Sequence, residues 1–398
     1  MSMISTMWIF FQVLVGYNLI LPLLLYIIWM NRKASSIIAN QSPNRSEADY
    51  AIIITAYEQT QTLCAVVTSI LKLNYSNYII YIVADKCDIS TLRFDDPRVI
   101  LLRPVDTLAS NVKSHFYAID RFVRKHDRLT IIDSDNLVHP EYLNQLNTCF
   151  DQGFQAVQGL REAKNLDTTY SCLDAARDIY YHFYDGKVLF GLGSSATLSG
   201  SGMAFTVDLY RDCLENKEVS GAGFDKVLQS IIVLKDIRIA FTEMAIVYDE
   251  KTSRSDQLVQ QRSRWINTWF KYFSLGFTIM GKGIQNFSSN QFTFGLVLLR
   301  PPLFLFILGS GICFICDLWF SPVSSLIWLV AFILFVLGFY IALQKSSTDK
   351  RIYNSLVNIP NFMFYQIVSL MKSRKANKTS VATKHYHTHS IDDINDVK

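Results

Sequence analysis

The apolar positions of this chain fall into three long uninterrupted runs and a middle region of short ones. Met7 to Met30 carries no charged residue, Pro301 to Phe320 carries only Asp317 near its end, and Val323 to Leu343 carries none. A helix of about 20 such residues crosses the hydrocarbon core of a bilayer, so each run predicts a membrane span. The first run is longer than the apolar part of a cleaved leader and no basic residue precedes it, so it reads as a retained anchor. Between the first and second runs, short β-rich stretches alternate with amphipathic ones. Tyr50 to Ile54, Tyr78 to Val83, Val99 to Leu102 and Arg128 to Ile132 predict strands, and Thr60 to Leu73 and Val105 to Lys125 have helical spacing. This alternation predicts an α/β domain over residues 31–265 with a mostly parallel sheet. Ligands of such sheets bind beyond the carboxyl ends of the strands. After Asp151 the rhythm loosens, with further strands expected at Gln155 to Gly159, Met203 to Val207, Ile237 to Phe241 and Ala245 to Tyr248.

Past Trp265, the positions Ile266, Phe270, Phe273, Phe277, Met280 and Ile284 form one apolar helical face. Beside a membrane this predicts an interfacial amphipathic helix over 266–291; packed on a domain it is a core-facing helix. Arg300-Pro301-Pro302 marks the start of the second span, because an arginine inside hydrocarbon is costly. Ile352 to Met371 is a second interfacial candidate, interrupted by Pro360, and the tail over 373–398 is polar and reads as disordered. His385, His387 and His389 alternate in that tail and read as solvated residues rather than metal ligands.

Half of the 398 residues are hydrophobic and the mean hydropathy is +0.19, high for a soluble protein and concentrated in the three runs. Arg32 and Lys33 follow the first span, and Lys345, Lys350 and Arg351 follow the third, while the loop between the last two has no basic residue. The positive-inside rule then places the large domain and the C-terminus in the cytosol, as expected for a multi-pass protein of the cell membrane. A net charge of +4 is too mild to argue for nucleic acid. The seven cysteines lack metal-ligand spacing, and Cys313 and Cys316 lie inside an apolar span.

The chemistry sits at strand ends. Asp133-Ser134-Asp135 follows Leu129 to Ile132. Two acids there suit a ligand carrying a hard cation such as Mg²⁺, since that ion takes one or two carboxylates and fills its shell with water and phosphate oxygens. Asp85 ends Val83-Ala84-Asp85 and can accept from a base N–H or a ribose hydroxyl. Tyr57 and Glu58 follow the first strand, where Tyr57 can pack on a base, and Lys113 is within helical reach of a phosphate. Each of these also has an ordinary role, as a turn cap or a solvated charge. Asp225, in Gly223-Phe224-Asp225-Lys226, is either a general base or an acid favoured at a helix start. Gln261-Arg262-Ser263-Arg264-Trp265 combines two guanidiniums, which grip phosphate, with an indole, which suits a sugar face. The same cluster can anchor to lipid headgroups.

In this order the motifs resemble those of the membrane-bound family 2 glycosyltransferases, which include cellulose, chitin, hyaluronan and Nod-factor chitooligosaccharide synthases. The resemblance covers roughly Tyr50 to Phe273 and rests on Val83-Ala84-Asp85, Asp133-Ser134-Asp135, Ser199-Gly200-Ser201-Gly202, Asp225, Tyr248-Asp249-Glu250-Lys251 and Gln261 to Trp265. It implies a GT-A fold, a nucleotide-sugar donor (usually UDP-linked) and inversion at the anomeric carbon. By position, Asp85 would contact uridine, Asp133 the nucleotide and Asp135 the metal on the diphosphate. Asp225 would be the catalytic base, and Gln261, Arg264 and Trp265 would close over the diphosphate and the acceptor, with Arg262 or Arg264 stabilising the leaving charge. Gly-Phe-Asp replaces the family's Thr-Glu-Asp, and the Asn that often precedes Glu58 is missing. QxxRW favours chain extension into a polysaccharide; the alternative is transfer of one sugar to a lipid-linked acceptor. Three spans give little wall for a polymer channel unless interfacial helices, a second copy or an export partner contribute.

Overall fold

A computed structural model of the chain describes residues 3–32, 47–219, 221–376 and 390–395. Lys33 and the three tail histidines lie outside the described residues. The domain is built on eight strands: β1 (Tyr50–Tyr57), β2 (Tyr78–Asp85), β3 (Val99–Leu102), β4 (Arg128–Asp133), β5 (Leu137–Val138), β6 (Ala156–Ala163), β7 (Met203–Thr206) and β8 (Ile239–Asp249). They form one sheet in the order β3-β2-β1-β4-β7-β6-β8-β5. Strands β3, β2, β1 and β4 are mutually parallel, β7 runs antiparallel to β4 and β6, β6 and β8 are parallel, and β5 is antiparallel to β8.

The early strands read as continuous apolar runs because both sheet faces are covered. Ala51, Ile53, Ile79, Tyr81, Val83, Leu129 and Ile131 point into one core. Tyr50, Ile52, Ile54, Tyr78, Ile80, Ile82 and Ile132 point into the other. Register then does the functional work. Tyr57 pairs with Asp85 across β1 and β2, and Thr55 pairs with Asp133 across β1 and β4, so the strand-end groups share one edge of the sheet.

Several elements differ from the periodicity. The two strands expected at 237–241 and 245–248 are one strand, β8, whose partner β6 takes a bulge between Gln158 and Leu160. The helix expected at 105–125 is confined to Asn111–Ile119, capped by the Ser110 side chain. The Gln261 to Trp265 motif does not precede a helix; it lies inside one, Ser255–Tyr272, and the expected interfacial helix is broken into that segment, Leu275–Gln285 and Ser289–Leu298. The stretch from Ile352 to Met371 is interrupted just before Pro360, as expected: a helix Lys350–Ser355 gives way to a 3-10 turn, Leu356–Asn358, and Pro360, which needs no N–H partner in a first turn, opens Ile359–Lys372. The tail contributes a short helix, Ile391–Asn395, whose Ile391 is buried in the domain core, against the expectation of disorder there.

Among the described residues three helices are long and apolar enough to cross a membrane: Ser5–Asn31, Leu303–Phe320 and Pro322–Lys345. Asp317 ties them together. Its carboxylate accepts from Trp8 Nε1 at 3.3 Å, Gln12 Nε2 at 2.7 Å and Trp328 Nε1 at 3.1 Å. The first helix packs on the domain through Tyr26 against Phe183, and Tyr184 donates to the Gly338 carbonyl of the third at 2.7 Å.

Candidate active site

A cavity of about 990 Å³ opens at the carboxyl edge of the sheet and continues to the membrane helices. It is lined by the strand-end residues Tyr57, Asp85, Asp133 and Asp135, by Asp225, Gln261, Arg262, Arg264 and Trp265, and by the apolar Leu303, Phe304, Phe339 and Leu343. Nine of the eleven residues singled out in the sequence therefore line one space, and Glu58 and Lys113 do not. Glu58 has a left-handed backbone (φ 60°) and pairs with Lys86 Nζ at 2.7 Å. Lys113 is exposed in the first turn of its helix, where the fold uses its backbone N–H as the partner of the Ser110 cap.

Asp85 is buried, and its two oxygens accept from the backbone N–H groups of Leu108 (3.0 Å) and Ala109 (2.7 Å). It thus holds the loop entering the Asn111 helix, and Ala109 and Ser110 on that loop also line the cavity. Ser201, in the Gly- and Ser-rich segment, accepts from the Asp133 N–H at 3.0 Å and from Asn136 at 2.8 Å, locking the Asp133-Ser134-Asp135 turn. Thr62 donates to the Ser134 carbonyl at 2.6 Å and Lys164 to the Asp135 carbonyl at 2.9 Å. Among the described residues no three acidic, histidine or cysteine side chains gather as a metal cage. Asp133 and Asp135 both line the cavity, and one or two carboxylates are what a Mg²⁺ ion shared with phosphate oxygens typically takes.

Asp225 lies in the first turn of Phe224–Leu234, where the helix dipole favours a carboxylate. Lys226 Nζ is 3.4 Å from it and donates to the Leu198 carbonyl at 3.0 Å. Gly223 makes this approach feasible. Its φ is +98°, and a Cβ there would lie 2.5 Å from Thr268 Cγ2 and 2.8 Å from Tyr272 Cε2, on the helix that carries Gln261 to Trp265. Gly223→Ala is expected to cost about 1–3 kcal/mol through strain and overpacking. It should slow transfer more than donor binding, which thermal unfolding and a donor titration would check.

Arg262 does not face the cavity as a lone phosphate ligand. Its guanidinium is buried, pairs with Asp174 and lies 4.3 Å from the Trp265 ring centroid, at the same distance as Arg177. Behind these lies a buried ion network that sequence reasoning missed. Arg177 pairs with Asp178, Lys251 Nζ lies 2.6 Å from Asp178 and 2.8 Å from Asp249, and Arg161 reaches Asp249 at 2.7 Å. Burial alone would raise the Asp178 carboxyl, but Arg177 and Lys251 outweigh it and hold it well below the usual range. Burial pushes His182, beside them, down to about 4, so it is neutral at physiological pH. Four cations thus face three carboxylates on one cavity wall. Arg264 also lines the cavity, and burial draws its pKa down from the usual guanidinium value. Asp174, Arg177 and Asp178, at i, i+3 and i+4 on one helix, were the available sequence signal.

A mixed sheet with acids at the ends of its parallel strands, over a cavity of this kind, is the architecture of a GT-A domain. Residues 48–268 match the family model described as glycosyltransferase like family 2, and the chain belongs to that family. A search of curated proteins gave no match. Among solved structures the chain is similar to the mannosyltransferase PcManGT from Pyrobaculum calidifontis in complex with GDP-Man and Mn²⁺. The identity is 12% and the TM-score 0.54, over 92% of this chain and 98% of that one. It also matches residues 1–349 of S. aureus TarS, at 13% identity and a TM-score of 0.42, over 82% of this chain and 90% of that one. At these identities the likeness concerns fold, and PcManGT supports the GT-A assignment.

Proposed function

We propose that this family 2 glycosyltransferase moves a sugar, with inversion, from a nucleotide donor such as a UDP-sugar to a single membrane-embedded, lipid-linked acceptor. The observation that carries the acceptor half is the continuity of the cavity. It runs from Asp133 and Asp225 to Leu303, Phe304, Phe339 and Leu343 on the second and third membrane helices. An acceptor with a polar head and apolar chains fits both ends. Polymer extension, which the Gln261 to Trp265 motif favours, is the second reading, and three spans leave little wall for a polymer channel.

Asp225 takes the proton of the attacking hydroxyl. The donor's anomeric bond breaks, and its electron pair leaves with the nucleoside diphosphate. Asp133 and Asp135 would hold Mg²⁺ or Mn²⁺ on that diphosphate, and the ion would supply charge neutralisation to the leaving group. Arg264 adds a fixed positive charge aimed at the same oxygens. Gln261, held by the Thr252 hydroxyl at 3.0 Å, and Trp265, held beside two guanidiniums, position the sugars. Under the positive-inside reading the domain faces the cytosol of the cell membrane, where nucleotide sugars are made.

The test is a screen of nucleotide sugars with purified full-length enzyme, reading nucleoside diphosphate release and product length with lipid and glycan acceptors. Addition of one sugar to a lipid acceptor supports the proposal, and long products from a glycan primer overturn it in favour of the synthase. Asp135→Ala is expected to abolish the metal-dependent part of donor affinity, measured by titration with and without Mn²⁺. Equal Mn²⁺ enhancement in both proteins would remove Asp135 from the metal site.

A further inference from the structure

Asp225 is the second residue of its helix, Phe224–Leu234, so its place depends on how that first turn is held. The residue before it, Phe224, is buried and lines the cavity. Its ring meets the His115 imidazole edge-on, with centroids 5.1 Å apart and planes at 66°. Aromatic pairs prefer this arrangement, so the contact fixes orientation as well as distance. His115 is itself held. It is fully buried on the helix Asn111–Ile119, and its Nδ1 lies 2.7 Å from the hydroxyl of Tyr210, which is buried on Val207–Leu214. Burial pushes the imidazole down to about 3, so it is neutral at physiological pH and works by shape rather than charge.

The helix that carries His115 is tied to the strand ends. Ser110 caps it, and the two residues before Ser110 donate their N–H groups to Asp85. Ser110 Oγ also lies 3.5 Å from the Val219 carbonyl, in the segment that leads to Gly223. Gly223 in turn packs against Thr268 and Tyr272. The two residues before the acid, Gly223 and Phe224, are the ones that depart from the family's motif, and both are used in packing.

We infer that His115 is a positioning residue for Asp225: through the ring of Phe224 it fixes the first turn of that helix, from a helix anchored at Asp85. The inference rests on Asp225 being the base, as proposed above, and adds a group that sets its place without touching substrate. His115 does not itself line the cavity.

The test compares two double variants of the full chain, neither of which strands the Tyr210 hydroxyl. His115→Phe/Tyr210→Phe keeps a ring against Phe224, and His115→Ala/Tyr210→Phe removes it. Single-turnover transfer and donor titration use the nucleotide sugar and acceptor that the screen above selects. The ring-keeping variant is expected to transfer close to the wild-type rate. The ringless variant is expected to be at least about tenfold slower, since a misplacement of about 1 Å can cost about 10²-fold, with donor affinity unchanged. Removing the ring in an Asp225→Asn background should slow transfer no further, because changes that act through one group are not additive. Should the alanine variant fail to fold, Phe224→Leu, which stays apolar and loses the ring contact, takes its place in the same comparison. A ringless variant as fast as the ring-keeping one, or an equal further loss on top of Asp225→Asn, overturns the positioning role. A fall in donor affinity that matches the fall in rate overturns it too. The base reading is judged by Asp225→Asn alone, so its failure and that of the positioning role are distinguishable.

Discussion

Asp225→Asn is expected to lower the rate of sugar transfer about 10²- to 10⁴-fold, the range associated with a positioned general base. The substitution keeps the shape of the side chain and its place in the first turn of Phe224–Leu234. Gly223 still brings that turn against the helix carrying Gln261 to Trp265. What disappears is the acceptor for the hydroxyl proton and the charge facing Lys226 at 3.4 Å. Donor affinity should therefore change little, because the strand-end acids lie on a different part of the cavity wall. Single-turnover transfer and donor titration on the same preparation separate the two effects. Transfer at the wild-type rate would remove Asp225 as the base.

Arg262→Ala is expected to destabilise the protein by about 3–5 kcal/mol, the usual cost of removing one partner from a buried ion pair. Asp174 would then be left buried with Arg177 at 3.6 Å as its remaining close cation. Trp265 would lose one of the two guanidiniums beside its ring. Thermal unfolding of the detergent-solubilised chain measures the loss. Arg262→Met/Asp174→Leu should recover much of it, since replacing both charges removes the stranded carboxylate. A single variant as stable as the wild type would show that the pair is not holding this wall together.

Much of the site was legible before any coordinates. Tyr50 to Ile54 and Leu129 to Ile132 must be buried because nothing in them interacts well with water, and burial on both faces forces a parallel sheet between helices. The residue that ends each such strand then emerges at one edge, which is why Asp85 and Asp133 could be named. Glu58 and Lys113 looked equally good by position but do not line the cavity: Glu58 has a left-handed backbone and pairs with Lys86, and Lys113 lies on the solvent side of a helix turn. The ion network escaped because its pairs are distant in the chain. Asp174 and Arg262 are 88 residues apart, Asp178 and Lys251 are 73 apart, and Asp185 and Arg300 are 115 apart.

Arg262 illustrates the division. Its place beside a second arginine and an indole was plain from five consecutive residues, but that its guanidinium is tied to Asp174 in the wall depends on helical phase and on what packs behind it. Periodicity and charge-free runs alone determined the α/β domain and the three long apolar helices, because each follows from local burial and backbone geometry, and the order of the motifs, through their family resemblance, gave the class of chemistry. Only the tertiary structure decided that the strand-end acids and the long apolar helices line one cavity, and that a buried ion network forms part of its wall. Those facts depend on side chains brought together by the sheet order, and no local property of the chain encodes a contact across a hundred residues.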